Sequence, residues 1–198
     1  MKPDRIILAS TSPRRSKLLA EAGIEFEVVP SDATELHHEH LTAVELCLIN
    51  AHRKARSVAK RFPDALVIGA DTLVWMGATV LGKPGDLAEA QRMLHALQGK
   101  THHVSTGVCL LHLRGHSEQL FAETTGVTFH PLTAAQIRAY VTSVPTLDKA
   151  GAYAIQEQGD RLVEEVCGSY SNVIGLPVKR VVEEIRKSLA LSNLESRR

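Results

Sequence analysis

The densest chemistry in this sequence lies in the run Ser10-Thr11-Ser12-Pro13-Arg14-Arg15, directly after the apolar stretch Ile6 to Ala9. A strand emptying into a helix start presents unpaired backbone N–H groups and the positive end of the helix dipole to an anion. Arg14 and Arg15 reinforce that field. Positive side chains in a first turn oppose the dipole, so a bound phosphate or carboxylate would resolve a conflict that stability alone does not favour. The same residues also read as an ordinary surface helix start.

A second position is Asp71, with the Thr72 hydroxyl beside it, at the end of Ala65-Leu66-Val67-Ile68-Gly69-Ala70. A run apolar on both faces predicts a central covered strand, expected to stop at Asp71. A carboxylate there stands where α/β proteins open ligand clefts and needs a cation, a metal or a hydrogen bond as partner. A turn or capping role is the plainer alternative. Lys83 follows on the Gly/Pro-bounded loop Leu81-Gly82-Lys83-Pro84-Gly85. Further on, Asp148 to Gln156 is dense in small residues, which permit close backbone approach, and the Gln156 amide can both donate to and accept from a base edge. A tightly packed helix start would look the same. Gly168 to Asn172 reads either as a turn or as a ligand-lining loop. His37-His38-x-His40 has chelating residue types but lies in a polar loop, so a solvated cluster is expected.

The elements that must carry these residues alternate between strands and helices. The spacing predicts a strand over 6–9, a helix from Pro13 ended by Gly23, and a strand over 26–29. Thr42-x-x-Glu45 is a capping box opening a helix whose Val44, Cys47, Leu48, Ala51, Ala55 and Val58 form one apolar stripe, with Lys54 on its edge. Asp86-x-x-Glu89 opens another helix, closed by Gly99. Two β-prone segments, 103–113 and 119–130, flank the turn-like Arg114 to Ser117 and predict an antiparallel hairpin. Thr133 caps a helix to about Ser143; a strand near 162–166, a loop over 168–175, a helix from Pro177 and a frayed tail from about Ser192 complete the chain. The fold class expected is α/β with a mixed sheet. No repeat or linker interrupts it, so residues 1–198 are expected to form one continuous domain, bilobed with a cleft.

Composition narrows the partners. With 44% hydrophobic, 23% charged and 4% aromatic residues, the chain is neither disordered nor fibrous. A net charge of +1 points to no nucleic-acid or acidic-membrane surface, so any anion site must be a local gathering of cations. Cys47, Cys109 and Cys167 are too far apart for a CxxC site and read as buried free thiols. No apolar run approaches the roughly 18 residues of a membrane span, and the N-terminus lacks a signal-peptide pattern, so the cytoplasm is the expected location. Walker A, GxGxxG and GxSxG sequences are absent, which argues against P-loop NTPases, Rossmann dehydrogenases and α/β-hydrolases.

Six pieces occur in order along nearly the whole chain. They are Leu8-Ala9-Ser10-Thr11-Ser12-Pro13-Arg14-Arg15, Lys54-Ala55, Gly69-Ala70-Asp71-Thr72, Gly82-Lys83-Pro84, Asp148-Lys149-Ala150-Gly151-Ala152-Tyr153 with Gln156, and Gly168-Ser169-Tyr170-Ser171-Asn172-Val173-Ile174-Gly175-Leu176-Pro177. Together they resemble the Maf family of nucleotide pyrophosphatases. The resemblance implies an elongated mixed sheet flanked by helices, similar to the inosine triphosphate pyrophosphatases, with a central cleft between lobes. It implies hydrolysis of nucleoside triphosphates to monophosphate and pyrophosphate. Asp71-Thr72 with Ala-Gly-Ala-Tyr and Gln156 looks like the branch acting on dTTP and UTP. By the same resemblance Asp71 is the general base, and Arg14, Thr72 and Gln156 shape substrate choice. Ser10, Ser12, Arg15, Lys54 and Lys83 join them in binding substrate, and Glu35 with Asp71 holds a divalent metal, Mg²⁺ or Mn²⁺. Thr34 stands where the family carries a second acidic residue, and Ala154 where glycine is frequent. A homodimer is implied as well. The competing readings are a pyrophosphatase for 7-methyl-GTP or deaminated purine triphosphates, and a non-catalytic nucleotide-binding regulator of septum formation.

Overall fold

Ile6–Leu8 forms β1, whose Ile7 and Leu8 are fully buried. It lies between β2 (Glu27–Val28) and β3 (Leu66–Met76), parallel to both, with Ile7 opposite Glu27 on one side and Val67 on the other. A strand covered on both faces can be apolar at every position, which is why the Ile6 to Ala9 run shows no alternation. α1 (Pro13–Glu21) connects β1 to β2, burying Leu18 and Leu19, and Gly23 at φ +74° turns the chain out of the helix. The computed structural model describes residues 3–195 and arranges their strands as one seven-stranded mixed sheet.

α2 (Ala43–Ala59) begins with the complete capping box expected at Thr42: Glu45 N–H donates to the threonine hydroxyl, and Thr42 N–H donates to the Glu45 carboxylate at 2.8 Å. Its stripe of Cys47, Ala51, Ala55 and Val58 is fully buried. This helix lies very close to the sheet. A β-carbon on Gly69 would stand 2.2 Å from the Ala51 carbonyl oxygen, and one on Gly107 would stand 2.4 Å from the Cys47 carbonyl. Only glycine in the strands, facing small residues in the helix, permits that approach.

The strand through Asp71 does not stop there. β3 runs on to Met76 because its second half finds a partner, β4 (Thr79–Leu81), which pairs antiparallel with Val74 opposite Leu81. The two-residue turn at 77–78 that makes this hairpin possible uses Gly77 at φ +61°. α3 (Leu87–Leu97) is capped by the Asp86 side chain, which accepts Glu89 N–H, but the Glu89 carboxylate reaches back to Gly85 N–H and not to Asp86. The expected box is therefore half formed. β5 (Thr101–His112) and β6 (Ser117–Phe129) are neighbours joined by the turn 113–116, as the hairpin reading requires. The strand order is β2-β1-β3-β5-β6-β7, where β7 (Val163–Cys167) runs antiparallel to β6 with a register shift at Thr128/Phe129.

α4 (Ala134–Ser143) starts from the Thr133 cap as expected. The stretch 168–175 is not a plain loop: it holds the short helix α5 (Tyr170–Ile174), fixed by the buried Asn172, which donates to the Val104 carbonyl at 2.9 Å and to the Thr125 hydroxyl at 3.0 Å. The last helix, α6 (Val178–Glu195), extends beyond Ser192, further than the frayed tail expected; residues 196–198 of that tail lie outside the described residues. Cys47 and Cys109 are buried, whereas Cys167, the last residue of the edge strand β7, is exposed. No helix among the described residues is long and apolar enough to cross a membrane.

The chain divides into two compact units. The first comprises 1–71, 106–123 and 175–198, and its core includes Ile7, Ala51, Ala55, Val58, Val67 and Cys109. The second comprises 72–105 and 124–174, with a core built on Leu94, Leu97, Phe129, Ile137, Tyr140 and Tyr153.

Candidate active site

The close seating of α2 on Gly69 decides what happens two residues later at Asp71. Asn50 and Lys54 sit one turn apart on α2, so their side chains leave the helix in one row beside the alanine stripe. That row meets Asp71. The Lys54 ammonium donates to Asp71 Oδ1 at 2.6 Å and to Glu35 Oε1 at 2.6 Å. Asn50 Nδ2 donates to Asp71 Oδ2 at 3.3 Å. Asp71 is only 5% exposed, so an unpaired carboxylate there would be costly, and the amide and ammonium supply the pairing that its burial requires. Asn50 also accepts Leu36 N–H at 2.7 Å and donates to the Leu36 carbonyl at 3.2 Å, which ties the loop carrying Glu35 to the helix. Asn50 is absent from the residues singled out by sequence. A signal existed, because it lies four residues before Lys54 and interrupts an otherwise apolar face.

The Ser10–Arg15 turn belongs to the same unit. Ser10 is buried at the end of β1, and its Oγ accepts Ser12 N–H at 3.2 Å and Arg15 Nη1 at 3.2 Å. Arg15 Nε donates to the Gly175 carbonyl at 2.9 Å, so this guanidinium braces the turn. Burial lowers the proton affinity of Arg15; Asp71 and Cys47 oppose that shift, the neighbouring Arg14 charge adds to it, and Glu35 opposes it. Asp71, Arg14, Arg15 and Glu35 thus lie within one electrostatic neighbourhood. The Ser12 side chain makes no capping bond, Pro13 opens the helix, and no acidic residue stands in the first turn, leaving the positive helix end to two arginines. The first unit therefore gathers Ser10, Ser12, Arg14, Arg15, Glu35, Lys54 and Asp71.

Thr72, Lys83 and Gln156 belong to the second unit. Thr72 follows Asp71 in β3 and so projects from the opposite strand face, half-buried. Lys83 is exposed on the loop between β4 and α3, where Gly82 accepts Gly151 N–H at 3.0 Å. Gln156 is exposed just after the 3₁₀ turn Ala150–Ala152, in which Gly151 and Ala152 both have positive φ. Within that stretch Lys149 is 4% exposed; its ammonium donates to the Pro145 carbonyl and to Asp148 at 2.8 Å, and faces Glu157 at 3.4 Å. His102 is fully buried in the same unit, with Nε2 2.8 Å from the Tyr153 hydroxyl, and burial lowers the imidazole to about 4, keeping it neutral.

Two carboxylates, Asp71 and Glu35, converge on the single point that the Lys54 ammonium fills. These two carboxylates are hard oxygen donors of the kind that could hold a divalent ion, in place of the ammonium that now bridges them. Among the described residues no group of three or more His, Cys, Asp or Glu is arranged to hold a metal by itself. His37, His38 and His40 do not form such a group, and the His38 and His40 rings stand edge to face at 5.4 Å.

A protein from Akkermansia muciniphila named dTTP/UTP pyrophosphatase is 47% identical over 178 residues, covering 90% of this chain and 93% of its own length. One of the same name from Bacillus anthracis is 43% identical over 183 residues, covering 92% and 95%. A HAM1 protein structure from Coxiella burnetii aligns with TM-score 0.43 at 16% identity over 63% of this chain and 72% of that one, a level that leaves the fold to rest on the strand order itself. The family model described as Maf-like protein matches residues 5–188, and the chain belongs to that family.

Proposed function

We infer that this protein is a nucleoside triphosphate pyrophosphohydrolase acting on dTTP and UTP, releasing the monophosphate and pyrophosphate. The observation that carries the reading is the buried Asp71 carboxylate gripped by Lys54 and Asn50 beside the Ser10–Arg15 turn. The two named relatives, alike over nine-tenths of the chain, support it.

A carboxylate offers about four acceptor sites. The bonds from Lys54 and Asn50 use two of them, so Asp71 retains the capacity to accept a proton from water. That water attacks the α-phosphorus in line, the bond to the α–β bridging oxygen breaks, and pyrophosphate leaves with the charge on its oxygens. The water proton rests on Asp71 until it exchanges with solvent. Arg14, Arg15, Lys54 and Lys83 offset the charge of the triphosphate, Ser10 and Ser12 supply hydroxyl and backbone donors, and Thr72 and Gln156 set substrate choice. Asp71 and Glu35 would hold a divalent cation, Mg²⁺ or Mn²⁺, which when bound neutralises charge on the phosphate oxygens. The expected setting is the cytoplasm and the expected assembly a homodimer, which analytical ultracentrifugation would test.

The deciding experiment is pyrophosphate release from a panel of triphosphates, with and without Mg²⁺. Preference for dTTP and UTP supports the reading; preference for 7-methyl-GTP or ITP moves the protein to another substrate class. Nucleotide binding with no release would mean a regulator.

A further inference from the structure

The chain has three tyrosines, and all three hydroxyls bear on one short segment, Tyr153 to Glu157. Tyr140, fully buried on α4, accepts Ala154 N–H at 3.2 Å and donates to the Glu157 carbonyl at 3.2 Å. The Tyr153 hydroxyl meets His102 Nε2, and the Tyr170 hydroxyl donates to the Ile155 carbonyl at 3.5 Å. A backbone bond from Glu157 N–H to the Ala154 carbonyl, 3.1 Å, closes the turn. Gln156 sits in this turn with its side chain exposed. Tyr140 therefore grips the backbone on both sides of Gln156, from a separate helix. Burial pushes its phenol up to about 12, so the hydroxyl keeps the proton it donates throughout the neutral range.

The chemistry of the pyrimidines makes that grip matter. Uracil and thymine present an N3–H donor and a 4-oxo acceptor; cytosine presents an N3 acceptor and a 4-amino donor. A glutamine amide can match either pair by rotating about its last bond, since it carries both an acceptor oxygen and a donor nitrogen. Glutamine chemistry alone does not discriminate. Discrimination needs the turn to hold the amide at a fixed reach and angle, so that only one rotated form keeps its partners.

We propose that the Tyr140 hydroxyl is a positioning group for substrate choice: by clamping Ala154 and Glu157 it fixes the turn that carries Gln156, and so favours 4-oxo over 4-amino pyrimidine triphosphates. This rests on the reading of Gln156 as the residue that meets the base.

The test measures kcat/KM for UTP and for CTP in the wild type, Tyr140→Phe, Gln156→Ala and the double variant, with melting temperatures alongside. Tyr140→Phe is expected to lower the UTP-to-CTP ratio about tenfold while kcat for UTP changes less than about threefold. Gln156→Ala lowers the ratio at least as far, and adding Tyr140→Phe to it lowers the ratio no further. Tyr153→Phe, which frees the same segment from His102, shifts the ratio in the same direction by about threefold, so the proposal stays testable if the Tyr140 variant folds poorly. A lowered melting temperature with an unchanged ratio in both tyrosine variants overturns the proposal, as does an equal drop with or without Gln156. If Gln156→Ala itself leaves the ratio intact, the underlying reading of Gln156 is what fails.

Discussion

The surroundings of Asp71 and those of Gln156 are built by opposite means. At Asp71 the backbone is regular strand, and the constraint falls on side chains: an ammonium, an amide and a second carboxylate hold the group in place. At Gln156 the side chain is exposed and the constraint falls on the backbone, held by the Tyr140 phenol and by left-handed conformations at Gly151, Ala152 and Gln158. One arrangement keeps a charge in a fixed electrostatic field. The other keeps a neutral group at a fixed position. Changes near Asp71 should therefore act on the rate of the chemical step and on stability through charge, and changes near Gln156 should act on substrate preference with the chemistry left running.

The largest expected effect breaks the first arrangement at its centre. Asp71→Asn should reduce pyrophosphate release by about 10²–10⁴-fold, and it should also lower the melting temperature, because the half-buried Lys54 ammonium loses its buried carboxylate partner. Lys54→Met should follow, leaving Asp71 and Glu35 facing one another with no cation between them; a denaturant titration should lose about 3 kcal/mol, the scale of breaking a buried ion pair. Gly69→Ala tests whether the seating of α2 sets the geometry. Its β-carbon would collide with the Ala51 carbonyl, so about 1–3 kcal/mol of stability should be lost together with much of the activity, although no polar side chain is touched.

A pH titration sharpens the contrast from the other side. His102 is held at about 4 in the folded protein against an ordinary 6.5, so between those values the unfolded chain binds a proton that the folded chain refuses. Its contribution is intact above about pH 6.5 and falls away as the pH drops toward 4, amounting to about 2 kcal/mol of lost stability by pH 5. Chemical denaturation at pH 7 and pH 5 should reveal the loss, and His102→Phe should remove that share of it. His112, also lowered by burial, contributes with the same sign and remains in the variant. The gentlest change, Tyr140→Phe, should leave turnover of UTP nearly intact and move only the choice between bases.

Much of this was legible in the amino-acid order. Capping residues at Thr42 and Thr133, the unbroken apolar run of β1 and the turn between β5 and β6 act through local sterics and hydrogen bonds, so they mark their elements wherever the chain goes. The Ser10–Arg15 turn and Asp71 stood out for the same reason: charge at a strand end or a helix start conflicts with its surroundings unless something compensates. Where the reading fell short, a distant partner or a competing neighbour intervened. β3 continues past Asp71 because β4 pairs with it, and Glu89 abandons the Asp86 box because it bonds Gly85 N–H instead. Which side chains meet was decided only by tertiary structure. Asn50 and Lys54 reach Asp71 because two glycines in separate strands let α2 settle onto the sheet, and Tyr140 reaches the Gln156 turn from a separate helix. Residue type and spacing record what a group could do; the distance between two backbones, set by how side chains pack between them, determines whether it has anything to do it to.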